Sequence, residues 1–333
     1  MIKNPLNIID KFGRVHDYLR ISLTERCNLR CFYCMPEEGV KLRDKANFMT
    51  SEEVLGIAKT FVRLGVKKIR LTGGEPLIKK DAKHLLLELG KLPVELAITT
   101  NAVLVDQFIE TFKEAGINSV NVSLDSLEEK SFNAISRRNY FDRIKANIDL
   151  LIKNDFHVKI NVVVIRNLNE HEIPDFISWT KNENIHVRFI EFMPFDGNQW
   201  NWDKKVSYKE IMQIAKDRFG EKCIFKIEDA KNDTARNYRL IDGEGTFGVI
   251  SSVTNPFCDT CNRIRLTADG KIKNCLFSQD ETDLLTAYRK EKDIETLIYA
   301  AIRDKKKERG GARAFDDGFV ENMKNRSMTT IGG

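Results

Sequence analysis

The chain has 333 residues, 42% of them hydrophobic, enough to bury one large core or two smaller ones. Its formal net charge of +5 sets 54 basic against 49 acidic residues, too mild a balance to imply nucleic acid. No run of about eighteen apolar residues could cross a membrane, and Met1-Ile-Lys-Asn-Pro5 lacks an apolar signal core, so a cytoplasmic protein is expected.

After an N-terminal arm carrying Phe12-Gly13-Arg14, strand-like runs fall at Tyr18 to Thr24, Val66 to Leu71, Val94 to Thr99, Asn118 to Leu124, His157 to Ile165 and His186 to Met193. Helical patterns alternate with them. The clearest, Glu52 to Leu64, opens on the capping box of Thr50 and Glu53 and closes at Gly65. Others cover Ala82 to Leu89, Val105 to Ala115, Phe141 to Lys153 and Ile173 to Asn182. Such alternation predicts parallel βα units with right-handed crossovers, of the α/β class. Two further units would close an eight-fold barrel, so an open (β/α)6 barrel over residues 1–199 fits better, with function on loops at the carboxyl ends of its strands.

From Trp200 the rhythm changes. A helix at Tyr208 to Phe219 precedes short strands at Cys223 to Ile227, Asn237 to Asp242 and Thr246 to Ser251, and a charged helix runs from Ile294 to Lys307. Residues 200–333 are therefore expected to form a C-terminal α+β extension covering the open side of the barrel. Lys305-Lys306-Lys307 reads as a solvated face of that helix.

Six of the seven cysteines fall into two triads, Cys27, Cys31 and Cys34, and Cys258, Cys261 and Cys275. This arithmetic favours metal over disulfides. Cys223 stands alone and is expected to be an inert buried thiol, and His171 and His186 lack metal-ligand spacing. Either triad could serve zinc with a distant fourth ligand. Alternatively, the C-x3-C-x2-C loop could hold three irons of a 4Fe-4S cluster and leave the fourth open to a substrate, as a catalytic cluster requires. Leu71-Thr72-Gly73-Gly74-Glu75-Pro76 closes the second strand, where glycines let backbone approach a ligand. Hydroxyl and amide groups end the next two strands at Thr99-Thr100-Asn101 and at Ser123. Beside the second triad, Arg263 and Arg265 would share one face of a strand and could clamp anionic oxygens.

The octet Cys27-Asn28-Leu29-Arg30-Cys31-Phe32-Tyr33-Cys34, with Gly73-Gly74-Glu75-Pro76 one βα unit later, resembles the radical S-adenosylmethionine (SAM) superfamily. The further Cys258-x2-Cys261-x-Arg263-x-Arg265…Cys275 group and the final Gly332-Gly333 resemble the GTP 3',8-cyclase family within it, end to end. That resemblance implies a TIM-type partial barrel, two 4Fe-4S clusters on the two triads, and SAM as cofactor contacted by Tyr33, Gly74, Ser123 and Met193. It also implies GTP held by Arg20, Arg70, Thr99, Lys159, Arg188, Arg263 and Arg265, with Arg263, Arg265 and the Gly332-Gly333 tail serving catalysis.

The implied reaction is abstraction of the ribose 3' hydrogen by a 5'-deoxyadenosyl radical, followed by addition of the sugar radical to guanine carbon 8. A further electron and a proton would then give 3',8-cyclo-7,8-dihydro-GTP, which would open molybdenum cofactor synthesis and pass to cyclic pyranopterin monophosphate synthase. A homodimer and an unidentified protein reductant are further implications, with neither nucleic acid nor membrane as a partner. Ala102 departs from the family, which has glycine there; a positive φ would strain it by about 1 kcal/mol. A peptide-modifying radical SAM enzyme and a zinc-stabilised binding protein are the rival readings. The first lacks a reason for Arg-x-Arg beside the second metal, and iron and sulfide content would distinguish the second.

Overall fold

The computed structural model describes residues 7–35, 43–198, 200–311 and 325–332. Six strands, β1 (Tyr18–Ser22), β2 (Lys68–Thr72), β3 (Glu95–Thr100), β4 (Ser119–Ser123), β5 (His157–Val164) and β6 (His186–Glu191), lie side by side in chain order. All five pairings among them are parallel. The helices between are α1 (Ser51–Arg63), α2 (Ala82–Gly90), α3 (Ile109–Glu114), α4 (Glu129–Ser136), α5 (Phe141–Lys153) and α6 (Ile173–Asn182). The predicted capping box forms on α1: Glu53 N donates to Thr50 Oγ1 at 3.2 Å, and Thr50 N donates to Glu53 Oε2 at 2.8 Å.

Strand β5 shows how the sequence sets the two faces. Val158, Ile160, Val162 and Val164 are buried under the helices, while Lys159 and Asn161 alternate with them and line the barrel interior. Burying each such aliphatic side chain stabilises the fold by about 1.5–3 kcal/mol. Polar interior residues are free for other work.

Residues beyond 200 enlarge the same sheet at both edges. They form α7 (Tyr208–Phe219), β7 (Ile224–Lys226), β8 (Arg236–Leu240), β9 (Thr246–Ile250), β10 (Arg263–Leu266), β11 (Lys271–Lys273), β12 (Thr282–Asp283), α8 (Leu284–Arg289) and α9 (Ile294–Arg303). Parallel pairing joins β9 to β6 and β10 to β1, and antiparallel strands continue outward from each. The order is β12-β11-β10-β1-β2-β3-β4-β5-β6-β9-β8-β7. Eight parallel strands therefore stand together, six from the βα run and one added at each edge, and the sheet stays open between its outer strands.

Some boundaries differ from the sequence reading. The predicted helix at Val105 to Ala115 breaks at Phe108 (φ −121°) into a 3-10 turn and α3. Helix α9 stops at Arg303, and Lys305 is buried rather than solvated, because its ammonium is drawn to the carbonyl of Arg263.

Candidate active site

The loop leaving β1 carries Cys27, Cys31 and Cys34. Arg30 N and Phe32 N donate to the carbonyls of Ser136 and Ile135 at 2.9 and 3.2 Å, which ties the loop to the end of α4. Leu29 N and Asn101 Nδ2 lie 3.4 and 3.7 Å from Cys27 Sγ. Burial, with Glu75 nearby, pushes the Cys27 thiol up to about 11, and burial raises Cys31 and Cys34 as well. Metal would displace those protons, since thiolates are the ligands.

Spacing separates the two metal readings. Bonds of about 2.3 Å bring the sulfurs around one tetrahedral zinc to within about 4 Å of one another. Among the described residues, three ligand atoms lie within 4.8 Å of one another at Glu128, His171 and Glu172, and neither cysteine triad forms such a set. Each triad brings three free thiols to one cavity, the all-sulfur donor set of an iron–sulfur cluster, so their residues fit that group. His171 thus does meet carboxylates, but Glu172 is already committed to Ser126 Oγ at 2.7 Å and Leu127 N at 2.6 Å.

Gly73 and Gly74 have a packing role beyond ligand approach. A Cβ on Gly74 would lie 2.2 Å from Arg26 O, and Gly73, at φ +149°, would bring one to 2.6 Å from Thr24 O. Glycine lets the β2 loop lie against the cysteine loop. Glu75 accepts from Thr100 Oγ1, Asn101 N and Leu77 N at 2.8, 2.7 and 3.1 Å and fastens the third loop to the second. Burial pushes its carboxyl up to about 7.

Two cavities meet here. The first, about 760 Å³, is lined by the triad Cys27, Cys31 and Cys34 with Tyr33, Gly74, Thr99 and Ser123. The second, about 1570 Å³, is lined by Arg20, Arg70, Lys159, Arg188, Arg263, Arg265 and the second triad, Cys258, Cys261 and Cys275. Met328 borders both.

Six of the cations lining this second cavity come from five strands, and one carboxylate, Asp233, lines it with them. Arg70 donates to Tyr18 Oη at 2.6 Å and Ile98 O at 3.0 Å, Arg188 to Asn161 Oδ1 at 2.6 Å, and Arg263 to Asn232 O at 2.5 Å. Burial and repulsion from neighbouring cations lower the proton affinity of Lys159 to about 8 and of Arg188 to about 9. Burial, then Arg265, holds Arg20 well below the usual guanidinium range. So many buried cations in one cleft suit a polyanion.

The residues implied for SAM divide. Tyr33, whose hydroxyl bonds Asp125, lines the first cavity with Gly74 and Ser123, whereas Met193 faces the second. Thr99, implied for GTP, lines the first instead, and its buried hydroxyl has no partner there. Gly332 reaches the interior: its carbonyl accepts from Arg265 Nη1 at 2.5 Å, and a Cβ there would stand 2.5 Å from Thr72 Oγ1. Gly333 lies outside the described residues.

Sequence reading missed Asn121 and Asn161, which line the second cavity, and Asp125, which lines the first. Asn121 is 4% exposed with a buried, unpartnered Oδ1. Both asparagines lie two residues from Ser123 or Lys159, so strand alternation alone could have placed them on the same face.

A family model for the radical SAM superfamily matches residues 21–180, and one for Molybdenum Cofactor Synthesis C matches residues 185–310. The "GTP 3',8-cyclase, mitochondrial" of Arabidopsis thaliana is 45% identical over 99% of this chain and 85% of its own length. The "GTP 3',8-cyclase" of Listeria welshimeri is 39% identical over 97% and 98%. "Molybdenum cofactor biosynthesis protein 1" of Drosophila melanogaster is 45% identical over 92% of this chain but 55% of its own length, so the chain spans about half of such relatives. Among solved structures, Streptococcus suis SuiB bound to S-adenosylmethionine superposes with a TM-score of 0.63 at 16% identity, over 88% of this chain and 69% of that one, a likeness of fold.

Proposed function

The chain belongs to the radical SAM superfamily and, within it, to the GTP 3',8-cyclase family, and we propose that it cyclises GTP to (8S)-3',8-cyclo-7,8-dihydroguanosine 5'-triphosphate at the opening of molybdenum cofactor synthesis. One observation carries this reading: six cations and a second cysteine triad surround a cavity that abuts the first triad's own.

Cys27, Cys31 and Cys34 would hold the cluster that binds SAM, and Cys258, Cys261 and Cys275 the second. With SAM, the first supplies a 5'-deoxyadenosyl radical when reduced. The chain's own residues do the positioning. Arg20, Arg70, Lys159 and Arg188 bind the triphosphate, while Arg263 and Arg265 hold the nucleotide at the second triad. Tyr33, Gly74 and Ser123 orient SAM, and Met193 borders both ligands from the second cavity. Walls of adjoining strands keep the ribose next to the first cavity, so proximity supplies much of the rate. Gly332, bonded to Arg265, brings the C-terminal tail to this point.

In this reading residues 1–199 are the SAM-binding barrel and residues 200–333 carry the second cluster and the tail. A cytoplasmic location is part of the proposal; among the described residues no helix is long and apolar enough to cross a membrane. A homodimer, an unidentified reductant protein and hand-off to cyclic pyranopterin monophosphate synthase complete the proposal.

The test is 5'-deoxyadenosine formation by anaerobically reconstituted protein with SAM and dithionite, with and without GTP. Strong GTP dependence is expected. Cleavage of SAM indifferent to GTP would remove the substrate, and no cleavage at full iron content would sink the reaction.

A further inference from the structure

Lys305 belongs to a run of three lysines, yet it is 2% exposed. Its ammonium donates to the carbonyl of Arg263 at 3.1 Å and lies 3.5 Å from Cys261 Sγ. A buried ammonium is costly unless negative charge faces it. Arg263, which opens β10, and Arg14 on the N-terminal arm add positive charge beside the triad, while Glu308 is an acidic neighbour of Cys258. Cys261 Sγ, in contact with the Lys305 ammonium, becomes an anion when it ligates metal.

The segment that brings Lys305 here is locked in place from two sides. Asp10 fixes the Arg14 guanidinium at 2.6 Å, and Arg14 then donates to Cys258 O at 2.7 Å, Lys307 O at 2.8 Å and Lys306 O at 3.1 Å. Arg309 N lies 3.5 Å from Cys258 Sγ. Phe12-Gly13-Arg14, which the catalytic reading leaves without a task, therefore straps residues 305–309 over the second triad. The ammonium stands against the sulfur in a fixed geometry.

We propose that Lys305 is a fixed counter-charge to the second cysteine triad, a positioning residue whose N–H···S contact raises the reduction potential of the iron–sulfur cluster on Cys258, Cys261 and Cys275. Reduction adds one negative charge to a group already surrounded by thiolates. A cation at 3.5 Å from a ligand sulfur stabilises the reduced form more than the oxidised one, and shielding from water strengthens the effect. The inference rests on the reading that the second triad holds a cluster.

Anaerobic potentiometric titration of the reconstituted full chain, followed by electron paramagnetic resonance, tests it. Lys305→Met keeps the length of the side chain and removes the charge. The second cluster's midpoint should move to lower potential in Lys305→Met and return towards the wild-type value in Lys305→Arg, while the first cluster, whose signal SAM perturbs, stays where it was. An unmoved midpoint at full iron content overturns the proposal. So does loss of the second cluster's iron from both variants alike, which would assign Lys305 to packing. Loss of that iron from Lys305→Met alone, with retention in Lys305→Arg, supports the need for charge. Wild-type protein that binds iron at one triad only would instead defeat the cluster reading itself, a result visible before any variant is made.

Discussion

At Ala102 the backbone takes φ +62° with the side chain wholly buried. Glycine would relieve about 1 kcal/mol of left-handed strain but forfeit about 0.8 kcal/mol of methyl burial. Ala102→Gly should therefore change unfolding free energy by less than about 1 kcal/mol, measured by urea denaturation, and a loss above about 2 kcal/mol would refute this balance. A second consequence concerns protons. Burial, then repulsion from Arg188 on Lys159 and from Arg70 on Arg188, holds these groups at about 8 and about 9. A bound triphosphate favours their charged forms, so binding takes up protons once the pH exceeds about 8. GTP affinity should fall between pH 7 and 9.5, and calorimetry in buffers of different ionisation enthalpy should show net proton uptake at pH 9. Equal affinity across that range, with no uptake, would mean the two cations do not meet the phosphates.

Among the elements, β10 was legible because its period is local: Arg263 and Arg265 face the cavity while Ile264 and Leu266 are fully buried. Strands β1 to β6 were legible for the same reason. The pairing of β9 with β6 and of β10 with β1 was not, since which edge a strand joins depends on partners 60 and 245 residues away. Lys305 was misread on the same ground: a lysine run looks solvated until the fold brings a thiol to it. The Gly-Gly turn carried its signal in full, although its meaning shifted from ligand approach to the contact between two loops. Gly74→Ala should cost about 1–3 kcal/mol through forced movement of the Arg26 backbone. Because Arg26 adjoins Cys27, iron bound per chain should drop towards half. Wild-type iron content in Gly74→Ala would show that the loop yields without disturbing the triad.

On the scale of the whole molecule, one sheet holds strands from both halves of the chain, and Glu191 supplies a second bond between them. Its carboxylate, at the end of β6 and 0% exposed, accepts from Tyr208 N, Val253 N and Thr254 N, each at 3.0 Å, and from the Thr254 hydroxyl. Tyr208 opens α7, and Val253 and Thr254 begin the loop that leads from β9 to the second triad. The carboxylate therefore fixes the extension against the barrel at the level of the cavity. Removing it in Glu191→Ala leaves buried N–H groups without acceptors, at about 1–3 kcal/mol for each that water cannot reach. The barrel's own helices and strands keep their packing, so the loss should fall on the junction. In wild-type protein, far-ultraviolet circular dichroism and tryptophan fluorescence should report one shared denaturation midpoint, as for a single cooperative unit. In Glu191→Ala, fluorescence from Trp200 and Trp202, beside the junction, should change at lower denaturant than the helical signal. A single coincident transition, lowered or not, would show that the shared sheet alone couples the two halves.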